Sequence, residues 1–222
     1  MTCSEPREGP GTHYALFAGL GGAGVDYLVT GATALVLHGV PRLTPDVDLA
    51  VDPDPANVAR CERLLASWGY GESGAGAHAE GGATVRRFRH PLSALGEIDV
   101  LLPAAQDYAR LRAGSAAVHL VDIAIPLVGA DELRAHALAA GTACGREDAE
   151  GLEILAALRT GAAAGGDETR REQIRKFSRW SIAARCDWLL AAARLAKGMA
   201  PEARPLTRGL VRRRGWYGRS PR

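Results

Sequence analysis

The 222-residue sequence predicts an α+β fold, a mixed β-sheet flanked by helices, with a C-terminal helical region. Two patterns carry that prediction. Up to about residue 128, short apolar runs closed by Gly or Pro alternate with segments of helical period; beyond it only helical periods remain. Composition bounds the answer: 47% hydrophobic and 23% charged residues is the balance of a globular chain. The sequence therefore divides into a core over residues 1–128, a helical region over 129–200 and a basic, irregular tail over 201–222.

Residues 14–24 carry an amphipathic helical spacing. VDYLVTG (25–31) reads as a buried strand ending at a glycine, and ATALVLHG (32–39) as a short apolar helix closed by Gly39. Pro41 and Pro45 frame a turn, and DVDLAVD is a second strand. ANVARCERLLASWGYG (56–71) sets Val58, Leu64, Leu65 and Trp68 at near-helical spacing. Gly71 to Gly82 reads as a flexible glycine-rich loop. TVRRFRH (84–90) and GEIDVLLP (96–103) read as paired strands, and AVHLVDIAIPLV (117–128) as one or two extended segments. ADELRAHALAAG and REDAEGLEILAALRTG are helices. Residues 170–197 form a longer helical stretch ended by Gly198 and Pro201.

Several function classes drop out early. The four cysteines are scattered without a CxxC or CxxH pair, which fits neither a disulfide scaffold nor a zinc site. The polar start MTCSEPREGPGTHY lacks a signal-peptide core, and the longest nearly apolar stretch, Ala15 to Val40, is broken by Asp26 and His38. No membrane contact is expected, and the cytoplasm is the default location. The net charge of +2 conceals an asymmetry: residues 169–222 hold fifteen Lys/Arg and three Asp/Glu, residues 1–168 twelve and twenty-two. An acidic body suits divalent cations. A basic tail carrying Trp216 and Tyr217 suits phosphates and bases, hence RNA, unless it docks on the acidic body itself.

The chemistry concentrates in GVPRLTPDVDLAVD (39–52). On a strand, residues i and i+2 share a face, so Asp46 and Asp48 project side by side while Val47, Leu49 and Val51 pack beneath. Two such carboxylates resist ionising together unless a cation lies between them, and Mg²⁺ is a natural partner. A third acid in an apolar strand, Asp99, would complete a site for two ions, with Glu97 on the same face. The bland alternative is pairing of these acids with Arg86, Arg87 or Arg89. For Asp52 and Asp54, beside Pro53 and Pro55, strand-end capping is preferred. Thirteen residues before Asp46, the strand–glycine–helix element VTGATALVLHG offers a helix N-terminus for phosphate, where Gly31 permits close approach and Thr33 could donate a hydroxyl or cap. Arg42 and Thr44 sit at the mouth of such a site; Arg42 could steady a triphosphate or salt-bridge Asp46. GLGGAG (19–24) formally matches GxGxxG, but it follows a helix and leads into a strand, the wrong order for a dinucleotide loop. His38 reads as a helix-terminal or packing residue.

Together, G-A-T-A-L-V-L-H-G-(x)₂-R-x-T-x-D-x-D-L and the later E-I-D-V-L resemble the nucleotidyltransferase superfamily of the DNA polymerase beta type, and within it the minimal bacterial AbiEii-like toxin branch. The resemblance covers about residues 10–125 and runs more loosely through DELRAHALAAGTACGREDAEGLEIL. It implies a nucleotidyltransferase-like mixed sheet, with Asp46, Asp48 and Asp99 holding two Mg²⁺ (or Mn²⁺) ions and Gly31 and Thr33 binding the nucleoside triphosphate. It implies transfer of a nucleoside monophosphate to an acceptor hydroxyl (on tRNA, a protein or a small molecule), with a cognate antitoxin as a possible partner. Two departures stand out. Ala32 replaces the usual second glycine, and the usual lysine of the later helices is missing, leaving Arg146 as its stand-in. These departures motivate an alternative: a catalytically silent module of the same fold that binds nucleotide or a partner. RNA binding through the basic C-terminal region is a third reading.

Overall fold

The computed structural model describes residues 10–73, 77–78, 83–91, 93, 95–163 and 165–197. The basic tail, with Trp216 and Tyr217, lies outside the described residues, as does Gly198. Helix α1 (His13–Gly22) begins where the Thr12 hydroxyl accepts from the Ala15 N–H. Strand β1 (Tyr27–Thr30) runs into α2 (Gly31–His38), which ends at Gly39 in the left-handed region, φ 119°. β2 (Asp46–Val51) leads to α3 (Pro55–Ser67), whose start combines an Asp54 cap with Pro55 in the first turn. β3 (Gly71–Glu72), β4 (Ala77–His78), β5 (Thr84–Arg89) and β6 (Glu97–Leu102) follow. α4 (Ala105–Ala113) precedes the hairpin of β7 (Ala116–Leu120) and β8 (Ile123–Leu127). Four helices complete the chain: α5 (Ala130–Ala139), α6 (Ala143–Thr160), α7 (Glu168–Ser178) and α8 (Ile182–Lys197).

The strands form one mixed sheet in the order β3-β5-β6-β2-β1-β8-β7, with β4 also paired to β5. β2 and β6 are parallel, as are β1 and β8; the remaining pairs are antiparallel. A mixed sheet flanked by helices is what the sequence predicts. Alternation decides the faces of the central strands: Val47, Leu49, Val51, Ile98 and Val100 are buried. They join one apolar cluster with Leu16 and Leu20 of α1, Leu65 of α3, Leu152 of α6, Ile174 of α7 and Leu190 of α8. The C-terminal helices thus share apolar residues with the sheet, while Phe177 of α7 and Leu189 of α8 form a smaller cluster with Val36 of α2.

Three elements differ from the sequence reading. In the glycine-rich stretch, Gly71–Glu72 and Ala77–His78 pair with β5, because the edge backbone of β5 offers N–H and C=O groups that another backbone can pair with whatever its side chains. The sequence reading assigns nothing to α4, whose only buried residues are Tyr108 and Leu111, too few to mark a stripe. Residues 170–197 are two helices: α7 ends at Ser178, and the Ser181 hydroxyl accepts from the Ala184 N–H to start α8. Among the described residues, no helix is long and apolar enough to cross a membrane.

Candidate metal and nucleotide site

Strand register builds the site. The parallel pairing of β2 and β6 sets Asp48 opposite Asp99 and Asp46 opposite Glu97. On either side, β1 sets Thr30 opposite Asp48, and β5 sets Arg87 opposite Asp99. One row across four strands therefore reads Thr30, Asp48, Asp99, Arg87. Asp46, Asp48 and Asp99 each present a carboxylate oxygen, and the three oxygens lie within 4.8 Å of one another. Asp99 is buried and the other two are half-buried.

The charge balance is the chemical signature. Burial, then the neighbouring Asp46 and Asp99, push the Asp48 carboxyl up to about 7, against the partial pull of the Ala32 N–H and the Arg87 guanidinium. Three carboxylates faced by one arginine lack positive charge. A hard divalent cation would supply it, and an all-oxygen donor set at this spacing suits Mg²⁺ or Mn²⁺. The residues present therefore fit the metal.

Gly31 makes this packing possible. Its φ is +59°, and a Cβ placed there would lie 2.0 Å from the Asp48 Oδ2. No other residue allows the start of α2 to press onto a carboxylate. The Ala32 N–H then donates to Asp48, so the positive end of the helix already faces an anion. Thr33 is fully buried, and its hydroxyl donates to the Asp46 carbonyl at 3.3 Å. Thr44, also buried, sets its hydroxyl against the Asp46 carboxylate. Both threonines thus hold Asp46.

Arg42 was offered two partners by the sequence, a triphosphate or Asp46. Its Nε donates to Asp148 of α6 rather than to Asp46, at 2.9 and 3.2 Å to the two oxygens. The pairing of acids with strand arginines is realised at Asp99, which Arg87 grips in bidentate fashion at 2.9 and 3.0 Å, while Glu97 bridges Arg87 and Arg89. Arg146 donates to the Gly141 carbonyl. Asp54 caps α3, and Asp52 accepts from the Asp54 N–H, as their strand-end positions suggest. His38 is buried against the Val128 carbonyl at 2.9 Å, a packing residue. Two participants are not singled out by the sequence. Arg87 is one of three arginines in TVRRFRH, and only the register singles it out. Asp148 sits 106 residues from Arg42; its one signal is an acid inside GREDAE.

No protein-family profile and no curated protein sequence matches the chain. Solved structures do, remotely. A Thermotoga maritima protein assigned provisionally as a nucleotidyltransferase is 15% identical, with a TM-score of 0.46 over 57% of this chain and 80% of that one. The lincosamide antibiotic adenylyltransferase LnuA, bound to lincomycin, is 15% identical, with a TM-score of 0.46 over 64% and 94%. An antigenic nucleotidyltransferase-like protein from Paracoccidioides brasiliensis is 16% identical, with a TM-score of 0.43 over 80% and 88%.

Proposed function

We propose that this chain is a metal-dependent nucleotidyltransferase, moving a nucleoside monophosphate from a nucleoside triphosphate to an acceptor hydroxyl. One observation supports the reading above the others: three carboxylates within 4.8 Å abut a glycine-hinged helix start. Asp46, Asp48 and Asp99 would hold two Mg²⁺ or Mn²⁺ ions, which when bound neutralise triphosphate charge and acidify the acceptor hydroxyl.

The chain's own residues do the rest. Thr33 and Thr44 fix Asp46 from its carbonyl and its carboxylate. Gly31 and Ala32 bring the N–H groups of α2 to where the phosphates lie. Arg42, steadied by Asp148, would contact the triphosphate. Arg87 orients Asp99 through both of its carboxylate oxygens. The acceptor oxygen attacks the α-phosphorus, the new O–P bond forms as the α–β bridging P–O bond breaks, and pyrophosphate departs. Asp99 receives the acceptor proton or passes it to solvent.

The test is pyrophosphate release and transfer of α-labelled nucleotide in Mg²⁺ or Mn²⁺, comparing wild type with Asp48→Asn and Asp99→Asn. Each substitution is expected to lower the rate at least a hundredfold. A wild-type protein that binds Mn²⁺ and ATP by calorimetry yet releases no more pyrophosphate than Asp48→Asn would instead be the silent binding module.

A further inference from the structure

The acid-bearing face of the sheet continues beyond the carboxylates into a cleft of about 510 Å³. Its floor includes Thr30 of β1, Ala50 of β2 and Leu101 of β6; α4 and α5 wall it. Same-face residues on a strand lie ~6.5–7 Å apart, so Ala50 is one step from Asp48 and Leu101 one step from Asp99. Whatever fills the cleft sits a single side-chain spacing from both carboxylates.

The lining says what kind of molecule fits. Leu101, Leu111 and the alanines give apolar contact, and the volume lies in the range of sites for small molecules. The one arginine of the lining, Arg110, is already matched by Glu132 and by Asp107 at 3.9 Å. Nucleic-acid backbones bind where Lys and Arg are in surplus. This cleft has no such surplus.

Direction of approach separates acceptor from nucleotide. The leaving pyrophosphate belongs at the start of α2, which continues β1. In-line attack then comes from the opposite side, across β2 towards Asp99 of β6; of the strand residues lining the cleft only Thr30 adjoins α2, while Ala50 and Leu101 lie on β2 and β6. We propose that the cleft receives the acceptor, an uncharged, hydroxyl-bearing small molecule of about nucleoside size. Its apolar face lies on Ala50 and Leu101 and its hydroxyl points to Asp99. The assignment rests on the nucleotidyltransferase reading above.

The experiment uses the full chain and three uncharged probes: adenosine, uridine and 2-naphthyl glucoside. Saturation-transfer NMR, run first without nucleotide, reads cleft binding whether or not the protein is an enzyme. Labelling of each probe from α-labelled ATP with Mg²⁺ is then set beside labelling of tRNA. Ala139→Trp and Ala140→Trp, both at exposed positions on the α5 wall, fill the cleft without entering the core. The expected result is transfer to at least one probe, weakened tenfold or more in both variants, with Mn²⁺–ATP affinity measured separately and unmoved. Three results would each overturn the assignment: no probe bound by wild type, label delivered to tRNA and insensitive to the tryptophans, or ATP affinity falling in step with probe affinity. Probe binding that disappears in the variants, with no pyrophosphate released under any condition, would sink the enzymatic reading while leaving the cleft's ligand class standing.

Discussion

Replacing Asp48 by Asn should destroy the site and stabilise the fold. The Asp48 carboxyl is pushed from 3.8 up to about 7, chiefly by burial and then by Asp46 and Asp99. A raised carboxyl stabilises the folded state fully below the unfolded value; that contribution is lost as pH climbs through about 7. Three pH units at ~1.4 kcal/mol each set the limit at about 4 kcal/mol of cost above pH 7. Asn keeps the shape and an oxygen for the Ala32 N–H but carries no charge. At pH 8 in EDTA, Asp48→Asn should therefore be more stable by about 2–4 kcal/mol, or roughly 5–12 °C in Tm for a chain of this length. The gap should shrink to about 1–2 kcal/mol at pH 5 and close near pH 4. Mg²⁺ or Mn²⁺ reverses the order: wild type gains about 2.7 kcal/mol when the ion is a hundredfold above its Kd, and the variant gains far less. Thermal unfolding followed by circular dichroism at pH 4, 5 and 8 reads both effects. An Asp48→Asn protein no more stable than wild type at pH 8 in EDTA would mean that Arg87 and the start of α2 already neutralise the cluster, and the argument for a metal would fail.

Gly31→Ala forces a Cβ into the Asp48 carboxylate at a left-handed backbone position, so it should cost at least about 2 kcal/mol in urea unfolding and weaken Mn²⁺ binding measured by calorimetry. Arg185→Met removes a buried guanidinium that donates to the Leu37 carbonyl at 2.7 Å and the Ser178 carbonyl at 2.5 Å; a loss of about 2–4 kcal/mol is expected by the same assay. Burial lowers His13 from 6.5 to about 4, so the folded state keeps it neutral while the unfolded chain protonates, and about 3 kcal/mol of stability is lost as pH falls from 6.5 to 4. His13→Met should flatten that slope. In wild type the His13 slope opposes the Asp48 slope over the same interval, so each variant should expose the other's titration.

The sequence makes the site's acids legible because each breaks a rule at its own position. A carboxylate in an apolar strand conflicts with burial, and three such conflicts (Asp46, Asp48 and Asp99) point to compensating cations shared among them. Gly31 and Gly39 are readable for the same local reason, a turn that other residues resist. What the sequence hides is long-range. Nothing near Arg87 distinguishes it from Arg86 and Arg89; the β5–β6 register alone places it opposite Asp99. Thr33 reads as a phosphate contact or a cap and Thr44 as a nucleotide contact; burial, which a sequence does not show, sets both hydroxyls against Asp46. The α4 helix, which walls the cleft beside the acids, is short and mostly polar, so its periodicity is lost in noise.

Helix α2 ties the remote helices to the chemistry. Its N-terminus presses on Asp48 through the Ala32 N–H. At the other end, Arg185 of α8 donates to the Leu37 carbonyl and Arg159 of α6 to the His38 carbonyl at 2.9 Å. Two guanidinium groups at a helix C-terminus complement its negative end, as the anionic site complements its positive end. Burial, and then repulsion from Arg159, lowers Arg185 to about 10. A charged group is kept desolvated there only because the two carbonyls and the helix end hold it. The consequence is mechanical: α2 is eight residues long, so a displacement of its C-terminus carries to Gly31 almost undiminished. Helices α6 and α8 therefore set the position of the N–H group that faces Asp48 from the far end of a single short rod.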